Sequence, residues 1–139
     1  MLIRFREEIP LPVSDVYAYF KTPADWVRLY GFGGEVEDRG EGWYAVPLRR
    51  FPFPLVARIT TSEPDHLVQW TFRGFWRGEG EVRFEAKTSG TIVEGYERIS
   101  LRCSPLLSAP IEGLFLERRF RAIWELGWRR LRRQATFAP

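Results

Sequence analysis

Residues 109–135 read APIEGLFLERRFRAIWELGWRRLRRQA, and the interpretation of this stretch decides the fold. Projected at about 100° per residue, Leu116, Phe120, Ile123, Trp124, Gly127, Trp128 and Leu131 fall on one side. Arg118, Arg119, Arg121, Arg129, Arg130, Arg132 and Arg133 fall on the other. The pattern is that of an amphipathic helix with a wide apolar stripe. Glu112 and Glu117 near its start and arginines in its last turns suit the helix dipole at both ends. A stripe built from large aromatics needs a broad surface to cover, and the rest of the chain is expected to supply a sheet.

Moving back from the helix, alternation predicts strands near 91–102, 79–88, 66–74, 54–62, 42–49 and 35–39. Turns are expected at Ser89-Gly90, Trp76-Arg77-Gly78, Glu63-Pro64-Asp65 and from Arg39 to Gly42. Links this short join neighbouring antiparallel strands. Running the register across each turn puts Leu55, Ala57, Ile59, Thr61, Val68, Trp70, Phe72, Val82, Phe84, Ala86, Val93, Gly95, Glu97 and Ile99 on one face. Arg58, Thr60, Ser62, Gln69, Thr71, Arg83, Glu94 and Arg98 take the opposite face, which is polar. Gly95 is expected to face inward because an aromatic of the last helix, Phe120 or Trp124, crosses above it.

At the other end of the chain, Ile3, Phe5, Glu7 and Ile9 alternate with charged residues, giving a first strand that Pro10 and Pro12 stop. Ser14 or Asp15 is expected to cap a short helix, and Thr22-Pro23 to open a second. Gly31-Phe32-Gly33-Gly34 ends that helix. Its glycine spacing does not match a phosphate-binding loop, and a helix precedes it where a strand is needed. The prediction is therefore an α+β fold: a seven-stranded antiparallel sheet, two short helices between the first two strands, and a long C-terminal helix. One domain spans 1–139.

Composition narrows the function classes. The single Cys103 excludes an internal disulfide and any cysteine-built metal site, and no His/Asp/Glu cluster has metal-ligand spacing. No metal or other cofactor is expected. Neither a secretory leader nor a transmembrane run is apparent, so a cytoplasmic protein is the default expectation. Nineteen arginines against two lysines, with no asparagine, suggest a thermophilic source or a GC-rich genome. Seven arginines against three glutamates leave the last helix at +4, although the whole chain is only +3. Because those arginines oppose a good core stripe, they read as a solvated face and not as a nucleic-acid surface.

The order strand, two short helices, meander, long helix resembles the START-related superfamily of polyketide cyclases, aromatases and lipid-transfer proteins, often written SRPBCC. The matching text is Ile9-Pro10-Leu11-Pro12-Val13-Ser14-Asp15-Val16-Tyr17 with Pro23 and Trp26, then Glu63-Pro64-Asp65-His66-Leu67-Val68-Gln69-Trp70, Gly90-Thr91-Ile92-Val93 and the closing helix. The resemblance implies the helix-grip fold, with a cavity between sheet and helix. Tyr30, Tyr44, Ile59, Trp70, Phe72, Phe84, Glu97, Phe115, Phe120 and Trp124 are the candidate lining, and Tyr17, Tyr19 and Thr61 are further polar groups within reach. Strand parity gathers apolar turns at one end, where Phe32, Phe53, Phe75, Trp76 and Leu106 are the candidate mouth.

Catalytic signals are sparse. His66 lies in a polar turn, and Cys103 has no histidine near it in sequence. Glu97 is the exception: a carboxylate on the buried face is desolvated and its pKa raised unless a partner compensates. Three readings follow: a binding protein for a small apolar or aromatic ligand, a cyclase- or dehydrase-type enzyme using Glu97 with a tyrosine, and an interaction module. The apolar turns would also serve a homodimer.

Overall fold

The computed structural model describes residues 1–30, 35–48, 53–101 and 110–137. Strand β1 (Leu2–Ile9) precedes helices α1 (Val13–Tyr17) and α2 (Pro23–Tyr30). Strands β2 (Glu37–Asp38), β3 (Trp43–Val46), β4 (Leu55–Glu63), β5 (Leu67–Arg73), β6 (Trp76–Lys87) and β7 (Gly90–Leu101) follow, and helix α3 (Pro110–Phe137) closes the chain. One seven-stranded antiparallel sheet has the order β1-β7-β6-β5-β4-β3-β2. The meander runs through neighbours from β2 to β7, and β1 returns to pair with β7 along its whole length, from Leu2 opposite Arg98 to Ile9 opposite Thr91. This is the expected α+β helix-grip arrangement.

The apolar stripe of α3 lies on the inner face of the sheet, with Phe120, Trp124, Trp128 and Leu131 buried. Phe5 of β1 stacks on Trp124 with ring centroids 4.3 Å apart and tilts against Trp128 at 5.3 Å. Near the C-terminal end of α3, Arg132 donates to Glu7 at 2.5 Å, so an inward-facing glutamate of β1 is met by an arginine at the helix margin. Gly95 is inward-facing, paired with Val82 on one side and Phe5 on the other. The aromatic that requires a glycine there is Phe5, with Trp124 stacked on it in turn. A Cβ at Gly95 would come within 2.9 Å of the Phe5 ring and 2.1 Å of the Glu81 carbonyl oxygen.

Thr22 caps α2 where the sequence opens that helix: its Oγ1 accepts from the Asp25 amide at 3.3 Å and donates to the Asp25 carboxylate at 2.6 Å. Other local details differ from the sequence reading. Pro12, not Ser14 or Asp15, occupies the N-cap of α1, which has no side-chain cap. In β4 the register slips between Ile59 and Thr61. A bulge there adds one residue to the strand, so every later side chain changes face. Thr61 consequently pairs with outward Gln69, and Ser62 with inward Val68, where the Tyr17 hydroxyl meets the Ser62 hydroxyl at 2.5 Å. Finally, the tight link between β5 and β6 is Gly74-Phe75, with Gly74 at φ +93°, so Trp76 begins a strand and does not sit in the turn.

Candidate functional site

A row of paired residues crosses the inner face of the sheet: Ile59 on β4, Trp70 on β5, Gly80 on β6, Glu97 on β7 and Ile3 on β1. Gly80 is the low point of that row. An added Cβ at Gly80 would lie 2.5–2.6 Å from Cε2, Cζ2 and Nε1 of Trp70. The Trp70 indole therefore lies flat across β6 with its pyrrole edge over the glycine, between its own strand and Glu97. From the opposite side α3 lowers Trp124, whose Nε1 donates to Glu97 Oε1 at 3.4 Å.

Glu97 is 5% exposed, and among the described residues the other buried polar side chain is Thr91. The two differ in partnership. Thr91 donates to the Leu11 carbonyl at 2.8 Å and is satisfied. Glu97 has one long indole bond, and among the described residues no cation pairs with it. Burial dominates and pushes its carboxyl from the ordinary 4.5 up to about 7, against the lowering influence of the Trp124 and Trp70 indoles. The Trp70 N–H is directed to the same carboxyl but misses hydrogen-bonding geometry and remains buried without a partner. Orphaned buried donors are uncommon and each costs about 1–3 kcal/mol.

Between the row and α3 lies a small cavity of about 20 Å³, lined by Phe20, Trp26, Val46, Leu48, Leu55, Trp70, Glu97, Phe120, Ile123 and Trp124. That is room for one water-sized group. Of the residues predicted to line a cavity, the structure brings together Trp70, Glu97, Phe120 and Trp124 here. Phe72 and Phe84 are buried in the core beside it, Phe84 packing on Tyr17 and Phe20. Tyr44 and Ile59 are half-buried and off the lining. The side chains of Tyr30 and Phe115 lie outside the described residues.

The sequence reading missed Phe20, Trp26, Val46, Leu48, Leu55 and Ile123. The first two belong to the segment of α1 and α2, which cover the sheet alongside α3. The Trp26 indole N–H donates to the Phe20 carbonyl at 3.1 Å. The burial of Phe20 was detectable as an apolar position one helical turn after Val16.

At the apolar end, Phe53 stacks on Phe75 at 4.1 Å, Phe75 meets Trp76 edge-on at 5.1 Å, and Trp76 meets Phe120 edge-on at 5.2 Å. This aromatic chain runs from the surface to the cavity wall. Phe53 is 45% exposed, but Trp76 is 1% exposed and its indole donates to the Phe53 carbonyl at 3.4 Å. Trp76 therefore packs as core, as its place in β6 requires. Phe32, Leu106 and Cys103 lie outside the described residues. His66 is exposed. Among the described residues no group of His, Cys, Asp or Glu could hold a metal ion, and no helix is long and apolar enough to cross a membrane.

The sheet, the gripped helix and the cavity between them define a class of fold, and the chain matches one family of that class over residues 3–136. It belongs to the family described as Polyketide cyclase / dehydrase and lipid transport. No curated protein sequence matches it. Among solved structures, the di-domain ARO/CYC StfQ from the steffimycin biosynthetic pathway is similar, with a TM-score of 0.72 and 12% identity over 97% of this chain and 50% of that one. A protein from Deinococcus radiodurans aligns with a TM-score of 0.63 and 17% identity over 95% and 97% of the two chains. The Aha1 dimer from Colwellia psychrerythraea gives a TM-score of 0.57 and 12% identity over 84% and 88%. Identities this low concern the fold.

Proposed function

We propose that this protein binds a small, mostly apolar molecule between the inner face of the sheet and α3, with the polar group of that molecule at Glu97. The observation that carries the reading is a buried, cation-free carboxyl facing a cavity whose other walls are apolar or aromatic. Keeping an acid in such surroundings costs stability that an apolar residue of the same size would not. Buried, perturbed carboxyls in cavities are for that reason candidates for function. The family, described by both cyclase or dehydrase activity and lipid transport, is compatible with the proposal. Space of about 20 Å³ takes only one oxygen-sized group, so a ring-sized ligand enters by displacing side chains, and half-exposed Ile123 on α3 is the wall residue nearest to solvent. Proton transfer by Glu97 is less favoured than binding, because its described polar neighbours are indoles and the Tyr17 hydroxyl is engaged by Ser62.

The test is titration with the neutral fluorophore N-phenyl-1-naphthylamine. Saturable one-to-one binding is expected, weakened at least tenfold by Leu55→Phe in protein whose far-UV circular dichroism is unchanged. Binding that does not saturate, or that ignores the filled cavity, would overturn the reading. Exposed Phe53, stacked on Phe75, supports a second reading, a homodimer through the apolar end. Sedimentation equilibrium of the protein and of Phe53→Ser decides it.

A further inference from the structure

We infer that the Trp70–Gly80–Glu97 row is a receptor for one hydrogen-bond-accepting oxygen, the carbonyl of an otherwise apolar and uncharged ligand, held between the Trp70 N–H and the Glu97 carboxyl. The inference rests on the cavity being a ligand site and specifies what that site selects.

Three observations carry it. The Trp70 N–H is buried beside the cavity and directed to the Glu97 carboxyl without reaching hydrogen-bonding geometry, so a well-placed acceptor is what this position lacks. Its orientation is built in: the indole lies flat only because residue 80 is glycine, and any Cβ there would strike the ring at 2.5 Å. The whole cavity measures about 20 Å³, the size of a single oxygen-bearing group and too small for a charged head with its hydration.

The protonation state of Glu97 decides between kinds of oxygen. Among the described residues, the groups around it are Ile3 from β1, Gly80 from β6, Trp70 from β5, Trp26 from α2, and Trp124 with Phe120 from α3, none of them charged. Burial already favours its neutral form, and a bound ligand that excludes further water favours it more. A neutral acid offers an O–H, and with the Trp70 N–H it puts two donors in the wall of one cavity. A carbonyl oxygen has two lone pairs to receive them. A carboxylate ligand would bring a second acid beside Glu97, and an ammonium group would leave the Trp70 donor orphaned. The site therefore discriminates against fatty acids and amines.

The experiment compares three molecules of nearly one shape: benzophenone, diphenylmethanol and diphenylmethane, each competed against N-phenyl-1-naphthylamine at pH 6 and pH 8.5. Benzophenone is expected to bind at least about tenfold more tightly than the hydrocarbon at pH 6, with the advantage shrinking at pH 8.5 as Glu97 ionises. Glu97→Gln keeps an N–H donor, so it retains the ketone preference and loses the pH dependence. Trp70→Phe removes the indole donor and lowers the preference. In unmodified protein, the carbonyl stretch of bound benzophenone should lie at lower wavenumber than in cyclohexane, a readout that needs no variant to fold.

Equal binding of diphenylmethane and benzophenone, with no displacement of the stretch, would overturn the oxygen receptor while leaving the ligand cavity standing. Preference for diphenylmethanol that grows with pH would also overturn it, since Glu97 would then be an accepting carboxylate. Failure of all three to displace the fluorophore at any pH would overturn both the receptor and the cavity as a ligand site.

Discussion

Replacing Glu97 by glutamine removes one titration from the core without changing its shape, and the result can be worked out from the structure. In the unfolded chain this carboxyl titrates near 4.5, and in the folded protein near 7. Below the lower value both states hold the proton, and the group contributes no pH dependence. Between the two values the folded protein binds more protons than the unfolded chain, so stability falls as pH rises. Above about 7 the loss is complete. The whole interval corresponds to about 3 kcal/mol, since one pH unit of it is worth about 1.4 kcal/mol. The amide of the variant does not ionise. Wild type and Glu97→Gln should therefore differ little at pH 4.5, and the variant should be the more stable by about 2–3 kcal/mol at pH 8.5. Urea unfolding followed by tryptophan fluorescence at half-unit pH steps measures the difference, and all other titrating groups cancel between the two proteins. Parallel stability curves across that range would refute the argument, because they would mean that Glu97 ionises in the folded protein as easily as in the unfolded chain.

Other outcomes follow from packing. Gly80→Ala should cost about 1–3 kcal/mol and change the tryptophan emission, since the ring that must move is Trp70. Gly95→Ala should be the more damaging of the two, because its obstacle is the Glu81 carbonyl at 2.1 Å, which is backbone and cannot rotate away; urea midpoints of the two variants rank them. Trp124→Ala should lose about 3–5 kcal/mol, as its ring is in contact with Phe5, Phe20, Trp70 and Trp128. Phe53→Ser should leave the melting temperature within a few degrees of wild type, whereas Trp76→Ser should lower it sharply, in keeping with exposures of 45% and 1%.

Much of the fold was legible because alternation in a sheet and a 3.6-residue stripe in a helix are properties of the chain itself. Trp70, Phe72, Val82 and Glu97 were placed inward by counting, and Glu97 could be singled out because a charge interrupted an apolar series. Counting failed where one residue was added without a marker. Nothing in Arg58-Ile59-Thr60-Thr61-Ser62 signals a bulge, yet it exchanges the faces of Thr61 and Ser62. Trp76 was misplaced for a related reason: Gly74 and Gly78 both permit a turn, and only the pairing of Trp76 with Leu101 selects the first. The Trp70–Gly80–Glu97 row depends on which residues of three strands stand opposite one another, and Gly80, read within a strand, carries no side chain to mark its place in it. The size of the cavity was beyond reach altogether, since it is the small difference between large volumes of aromatic side chains.

The pairing of β1 with β7 has a consequence for how the molecule is made. Phe5 finds its partners at Gly95 and at Trp124 and Trp128, and Glu7 finds Arg132, so β1 completes its contacts with residues up to 125 positions further along the chain. During translation β1 has no native neighbour until β7 has emerged, and the inner face of the sheet has no cover until α3 follows. Contacts so far apart in sequence put the chain among slow folders, on a scale of about milliseconds to seconds. Throughout that interval Ile3, Phe5 and Ile9 are exposed on an unpaired strand, flanked by Arg4, Arg6 and Glu8, whose charges oppose edge-to-edge association. The alternation that gives β1 its place in the finished sheet also keeps it soluble while it waits.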